Sequence, residues 1–166
     1  PTFQWASTDP TGGNRDWSQY IPSAGAERVI MSVNGPGAIT RMFFAGTNFF
    51  STASLRIYLD DRLAVHSSIR ELTDGHYGVF QRPLVGYTSG AYYSYIPIPY
   101  RRSCVMTIES TDNVYFQVQT RNLPWSADFE TFDGTVSTTK AALLDRAAEV
   151  WSRPGHDPKA VSPSTH

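Results

Sequence analysis

Leu55-Arg56-Ile57-Tyr58-Leu59-Asp60-Asp61-Arg62-Leu63-Ala64-Val65-His66 is the stretch that decides the fold class. Leu55, Ile57 and Leu59 alternate with Arg56 and Tyr58, the period of two expected of a strand with one buried face. Asp60-Asp61 then turns the chain into Leu63 to His66, which predicts a hairpin. Upstream, Glu27 to Val33 also alternates, Arg28, Ile30 and Ser32 against Val29, Met31 and Val33. It ends at Asn34-Gly35-Pro36-Gly37, a turn because glycine takes positive φ and proline lacks a ladder donor. Ala38 to Ala45 is the next predicted strand. Downstream, Val79 to Val85 and Ala91 to Ile98 read as extended, the second holding Tyr92, Tyr93 and Tyr95. Pro97 and Pro99 confine that segment to a sheet edge or the exit from one. Cys104 to Glu109 and Val114 to Arg121 flank Ser110-Thr111-Asp112-Asn113, a predicted hairpin loop. Short strands punctuated by turns from Ala26 to Arg121 predict an antiparallel sandwich or barrel.

The pattern changes after Leu123-Pro124. Ser137 or Thr138 can cap a helix from about Thr139 to Ser152, with Leu143, Leu144, Ala147, Val150 and Trp151 on one stripe. Pro154-Gly155 stops it, and Pro154 to His166, with three prolines and no apolar period, reads as a linker or tail. The expected organisation is a β-sandwich over residues 1–125 and a helix-containing linker over 126–166. The helix stripe needs a cover, so a chain ending near Pro124 is expected to be more soluble than the whole.

Composition bounds the function. The 166 residues suit one domain, and 40% hydrophobic with 17% charged residues can fill a core. A net charge of -1 offers no basic excess for nucleic acid or an anionic membrane. One cysteine, Cys104, allows no internal disulfide and no CxxC zinc site. His66 and His76 lack a third ligand at metal spacing, and no Gly-x-Ser-x-Gly elbow occurs, so neither metal nor cofactor nor serine-hydrolase chemistry is expected. No run reaches membrane-span length, and the opening Pro1-Thr2-Phe3-Gln4-Trp5 carries no signal sequence, as expected of a processed or excised piece. Arginine exceeds lysine 12 to 2, which hints at a high-GC bacterium; the compartment stays open, with the cell envelope or secretion as candidates.

Four segments in order, Ser7 to Asp16, Val33 to Arg41, Leu55 to Asp60 and Gly90 to Tyr100, carry a family likeness. The last is the most specific, a Tyr-rich strand running into Ile96-Pro97-Ile98-Pro99-Tyr100. Together they resemble the DUF2961 family, glycoside hydrolase family 172, from about Ser7 to about Pro158. The resemblance implies a jelly-roll β-sandwich, two per subunit, in trimers or hexamers resembling viral capsid proteins. It also implies retaining cleavage of furanosides such as α-D-fructofuranosides and D-arabinofuranosides, an arabinan of a bacterial envelope among the candidates. The catalytic glutamates of that family sit on the second jelly roll, so this chain is expected to be the N-terminal half. The partners implied are carbohydrate and either further copies or a chain carrying the other jelly roll.

Retaining hydrolysis needs two carboxyl groups roughly 5 Å apart. Of Glu27, Glu71, Glu109, Glu130 and Glu149, the catalytic candidate is Glu71, read as lying in an irregular stretch before Asp74-Gly75-His76-Tyr77-Gly78. The candidates for sugar binding are Asn14, Asp16 and Trp17, joined by Asp9, because Asn and Asp engage adjacent hydroxyls and an indole offers a flat face. The alternative for that segment is a turn after Gly12-Gly13 with Trp17 as a lid. Arg41 is expected in structural support, reaching solvent or pairing with a carboxylate such as Asp16. Tyr92 and Tyr95 are read as core or interface. The rival to a hydrolase half is a non-catalytic jelly roll, shell-forming or carbohydrate-binding, since the fold itself implies no reaction.

Overall fold

The computed structural model describes residues 1–8, 26–46 and 52–155. In chain order these form β1 (Thr2–Ala6), β2 (Glu27–Asn34), β3 (Gly37–Gly46), β4 (Ser54–Leu59), β5 (Arg62–Ser68), α1 (Ile69–Thr73), β6 (Val85–Thr88), β7 (Ala91–Ser94), β8 (Ile98–Tyr100), β9 (Ser103–Glu109), β10 (Val114–Asn122) and α2 (Thr138–Trp151). One sheet runs β1-β10-β3-β7-β6, with β8 paired to the start of β3; the other runs β2-β9-β4-β5. All pairings are antiparallel, and the two sheets enclose one core, an all-β sandwich of the jelly-roll kind with a single C-terminal amphipathic helix.

The β4–β5 hairpin forms as its alternation dictates. Leu55, Ile57 and Leu59 are buried, Arg56 and Tyr58 face outward, and Leu59 pairs with Arg62 across a two-residue turn. Asp60 and Asp61 both take positive φ, 51° and 68°, as the turn that matches strand twist requires. In β2 the alternation breaks. A register shift between Val29 and Met31 sends both Ile30 and Met31 inward, because the bulge adds a residue against one partner.

Three expectations about connections are corrected. Ser110 to Asn113 does not close a hairpin: β9 pairs with β2 and β4, β10 with β1 and β3, so the link crosses from one sheet to the other. Each strand has one apolar face, which a facing pair across the core satisfies as well as a hairpin does; Met106 and Ile108 lie opposite Val114, Phe116 and Val118 in the two layers. Val79 to Val85 is mostly turn, a bridge between Tyr77 and Phe80 and a bend through Pro83, whose missing N–H cannot serve a ladder. Ala91 to Ile98 splits at Tyr95–Pro97 into β7, an inner strand between β3 and β6, and β8, which pairs with β3 alone and so tolerates Pro99.

Packing on the sandwich continues past residue 125. Phe132 is 6% exposed within the core, edge-on to Phe80 at 6.3 Å, and its N–H donates to the Pro99 carbonyl at 2.9 Å. Asp60 holds this segment in place. Its carboxylate accepts the N–H groups of Arg101 (3.3 Å), Arg102 (2.6 Å) and Ser103 (3.0 Å) and the Thr131 hydroxyl. The Arg101 guanidinium in turn donates to the carbonyls of Ala127 and Phe129. A chain ending near Pro124 would therefore lack Phe132, a member of the core. α2, capped by the Ser137 side chain, leans on the sandwich through Leu144, Ala147 and Ala148. Trp151 meets the Tyr95 ring at 4.4 Å, and Gln81 donates to Asp145 at 2.9 Å.

Candidate functional site

Pairing register brings several strand termini to one end of the sandwich. Glu27 pairs with Glu109, Ser54 with both Glu109 and Ser68, and Val114 with Gly46. The β1–β2 connection, with Asp9, Asn14, Asp16 and Trp17, joins its flanking strands at this end; those four residues lie outside the described ones.

On the outer face of the four-stranded sheet, next to that end, three adjacent strands build a polar cluster. Arg56, at the centre of β4, donates to Glu109 Oε2 at 3.1 Å from both Nη atoms and lies 3.6 Å from Glu27 Oε2. Glu27 Oε1 also accepts from the Tyr58 hydroxyl at 3.2 Å and from the Thr107 hydroxyl. Two carboxylates directly opposite each other on neighbouring strands repel, and the guanidinium between them offsets that repulsion. The Thr107 hydrogen bond lowers the Glu27 carboxyl below its usual range; burial opposes it, and Arg56, Tyr58 and His66 add to the lowering. Glu27 is therefore an anion at neutral pH, suited to accept hydrogen bonds and unsuited to deliver a proton. Ser54 Oγ and His66 Nε2, 3.1 Å apart, extend the cluster toward β5. At the strand ends, Arg28 Nη2 donates to the Ser110 carbonyl at 2.6 Å, and the Thr52 hydroxyl donates to Asp112 at 3.3 Å.

Glu71 stands in α1, where an irregular stretch was expected. It is the N3 residue of a capping box in which Ser68 Oγ accepts from Glu71 N and Glu71 Oε2 accepts from Ser68 N. The same oxygen accepts the Ser67 and Ser68 hydroxyls. The Ser68 N–H and hydroxyl, then the Ser67 hydroxyl, lower its carboxyl below the ordinary value.

The other sequence candidates lie apart from this cluster. Arg41, on β3 in the opposite sheet, donates to Gln117 Oε1 at 3.0 Å and covers the Phe43 ring at 5.0 Å, so its partner among the described residues is an amide. Tyr92 packs on the core beside Tyr87, ring centres 4.7 Å apart. Tyr95 lies in the break between β7 and β8, its ring packed at a 50° tilt against Trp151. Among the described residues no group of three or more His, Cys, Asp or Glu is placed to hold a metal ion.

Two clefts open beside the segment that follows β10. One of about 310 Å³ lies between Pro97, Phe129, Val136 and Leu143, and one of about 270 Å³ between Leu63, Arg102 and Asp133, with Thr131 and Phe132 lining both. Sequence reasoning missed the Glu27–Arg56–Glu109 cluster because it depends on strand order. The available signal was that Arg56, Tyr58 and Glu109 each fall on the outward side of their strands.

These features define a β-sandwich module whose polar outer face adjoins a loop-bearing end. Residues 2–140 match the family described as the GH172 first beta-sandwich domain, and the chain belongs to that family. It is thus the first sandwich domain of a glycoside hydrolase family member. No curated protein matches the chain.

Proposed function

We propose that this domain is the non-catalytic half of a furanoside-cleaving, retaining glycoside hydrolase, and that it contributes architecture, oligomer contacts and one wall of a sugar site completed by a second sandwich. The observation that carries this is the engagement of every glutamate in the chain. Glu27 and Glu109 are clamped by Arg56, Glu71 caps α1, Glu130 lies 3.9 Å from Lys140 and Glu149 lies 2.6 Å from Arg153. A retaining pair needs one carboxyl protonated at the start of the cycle and one free to attack the anomeric carbon. The lowered carboxyls of Glu27 and Glu71 are the reverse of the raised acid that role requires. The wall assigned to this domain is the end where β1 stops and β2 begins, and the sugar-binding candidates Asp9, Asn14, Asp16 and Trp17 fall between those strands in the sequence.

The test uses the polypeptide that carries this domain and compares aryl α-D-fructofuranosides and D-arabinofuranosides with the matching pyranosides. Turnover confined to furanosides is the expected outcome. In the same protein Asp16→Ala is expected to lower kcat/KM by about tenfold or more through lost hydroxyl contacts. An unchanged kcat/KM removes the segment from the sugar site, and turnover of pyranosides alone overturns the substrate class.

A further inference from the structure

The outer face of the six-stranded sheet is built from amides and aromatic rings. Met42, Phe44, Phe116 and Val118 are buried in the core, so strand alternation turns Arg41, Phe43, Gln117 and Gln119 to the other side. Register lays these in two rows across the strands, Gln4–Gln119–Arg41 and Gln117–Phe43–Tyr93, and none of the residues in the rows is buried. The polar groups hold one another in place. Gln119 Nε2 donates to Gln4 Oε1 at 3.1 Å. Arg41 Nη1 donates to Gln117 Oε1 at 3.0 Å while its guanidinium covers the Phe43 ring at 5.0 Å. Each bond occupies one end of an amide and fixes where the other end sits. Gln4 Nε2 and Gln119 Oε1 remain as a donor and an acceptor on adjacent strands, and Gln117 keeps its Nε2 donor. Beside Phe43 the face dips into a cleft of about 150 Å³ between Ser7, Phe43, Tyr115 and Gln117. Ser7 is fixed at its rim, its hydroxyl accepting the Phe116 N–H at 3.1 Å and its own N–H donating to the Phe116 carbonyl at 3.0 Å.

We propose that this face is a glycan-binding platform, on which an oligosaccharide lies across β10 and β3 with one ring at the Phe43–Tyr115 cleft. The chemistry of the rows selects this ligand. Amides held in one orientation match hydroxyls, each of which donates and accepts. Phe43 and Tyr93, neighbours across β3 and β7, offer ring surface to the C–H faces of a sugar. From Tyr115 to Gln119 the platform runs about 13 Å along β10, room for a chain rather than a single ring. Charge argues against the main rival, a second copy of the domain. Arg41 and Arg121 are the charged side chains of β1, β10, β3 and β7 on this face, with no Asp, Glu or Lys among them. Two copies docked face to face would set guanidinium against guanidinium with no carboxylate to pair them, whereas a hydroxyl-rich chain accepts from them directly. The inference does not depend on the reaction proposed above, because it requires only a ligand rich in hydroxyls.

The polypeptide carrying this domain is run on native gels containing a soluble arabinan, a fructan or a dextran, and its mobility gives the affinity for each. Retardation by at least one of them is the expected result, weakened about tenfold or more in Gln117→Ala and in Phe43→Ala. Leu63→Ala, half-exposed on the other sheet, should keep the parent's affinity. Gln117→Ala removes a surface amide and should melt as the parent does, so it carries the test where Phe43→Ala unfolds. No retardation of the parent by any of the three polysaccharides overturns the proposal. Retardation lost in Asp16→Ala and kept in both face variants also overturns it, and places the binding at the loop-bearing end. An unretarded parent whose face variants sediment as smaller species assigns the face to a second copy instead. Turnover is not read. Retardation through this face in a protein inactive on furanosides refutes the function alone, and furanoside turnover without retardation refutes this inference alone.

Discussion

Gly37→Ala is expected to destabilise the domain by about 3 kcal/mol or more, the cost of forcing side-chain atoms into a filled core. A Cβ at this position would stand 2.5 Å from the Tyr100 hydroxyl oxygen, 2.8 Å from Tyr100 Cζ and 2.9 Å from the Arg121 carbonyl oxygen. Neither neighbour can withdraw easily. Tyr100 is fully buried, and Gly37 is held in register on both sides, by Tyr100 of β8 and by Asn122 of β10. The melting temperature should fall by roughly 6–12 °C, at 2–4 °C per kcal/mol for a chain of this size. Gly35→Ala separates crowding from backbone strain, since Gly35 has φ 97° but nothing within 4 Å of its would-be Cβ. Its cost should stay near 1 kcal/mol. If calorimetry finds Gly37→Ala no worse than Gly35→Ala, the close approach of Tyr100 to β3 is wrong.

Asp60→Ala is the second large effect, expected to cost about 3 kcal/mol through the loss of several charge-assisted hydrogen bonds. It strips the acceptor from three backbone N–H groups and from Thr131, and so loosens the segment that brings Phe132 into the core. Asp60→Asn, which keeps a side chain tolerant of φ 51° while removing the charge, should cost less. Burial alone would raise the Asp60 carboxyl, but the Thr131 hydroxyl and the N–H groups of Ser103, Arg102 and Arg101 hold it below its ordinary value of 3.8. A carboxyl depressed in the folded state stabilises fully above its unfolded pKa, and that contribution is lost as pH falls through the folded value. The gap between parent and Asp60→Asn in urea denaturation should therefore be constant from about pH 6 to 8 and close below about pH 4. A gap that widens on acidification would show that the carboxylate is not the acceptor described.

Asp60 also shows where sequence reading reaches its limit. Its place in a turn was legible, because Leu55 to Leu59 alternates and two Asp residues follow. Its second role was not, because the donors at Arg101, Arg102 and Thr131 are 41 to 71 residues away in the chain. The same reason explains the β9–β10 error. Local alternation tells which side of a strand is apolar, but the choice between a hairpin and a crossing of layers is settled by the other strands competing for each edge. Of the candidate site, the Asp16–Trp17 segment was proposed from chemistry and family likeness and lies outside the described residues, whereas the Glu27–Arg56–Glu109 cluster needed β2, β9 and β4 to be placed side by side. Glu71 was misplaced for a simpler reason. Ser68 followed by Glu71 is a capping box in five helical residues, too short to leave a periodic pattern.

The function proposed for the domain, as part of a retaining furanoside hydrolase whose nucleophile lies elsewhere, is tested most directly by trapping the glycosyl–enzyme intermediate. The polypeptide carrying this domain would be treated with a mechanism-based furanosyl inhibitor, digested and mapped by mass spectrometry. A single furanosyl adduct on a carboxylate outside residues 1–166 is the predicted result; an adduct on Glu27, Glu71 or Glu109 would contradict the account and place the chemistry in this sandwich.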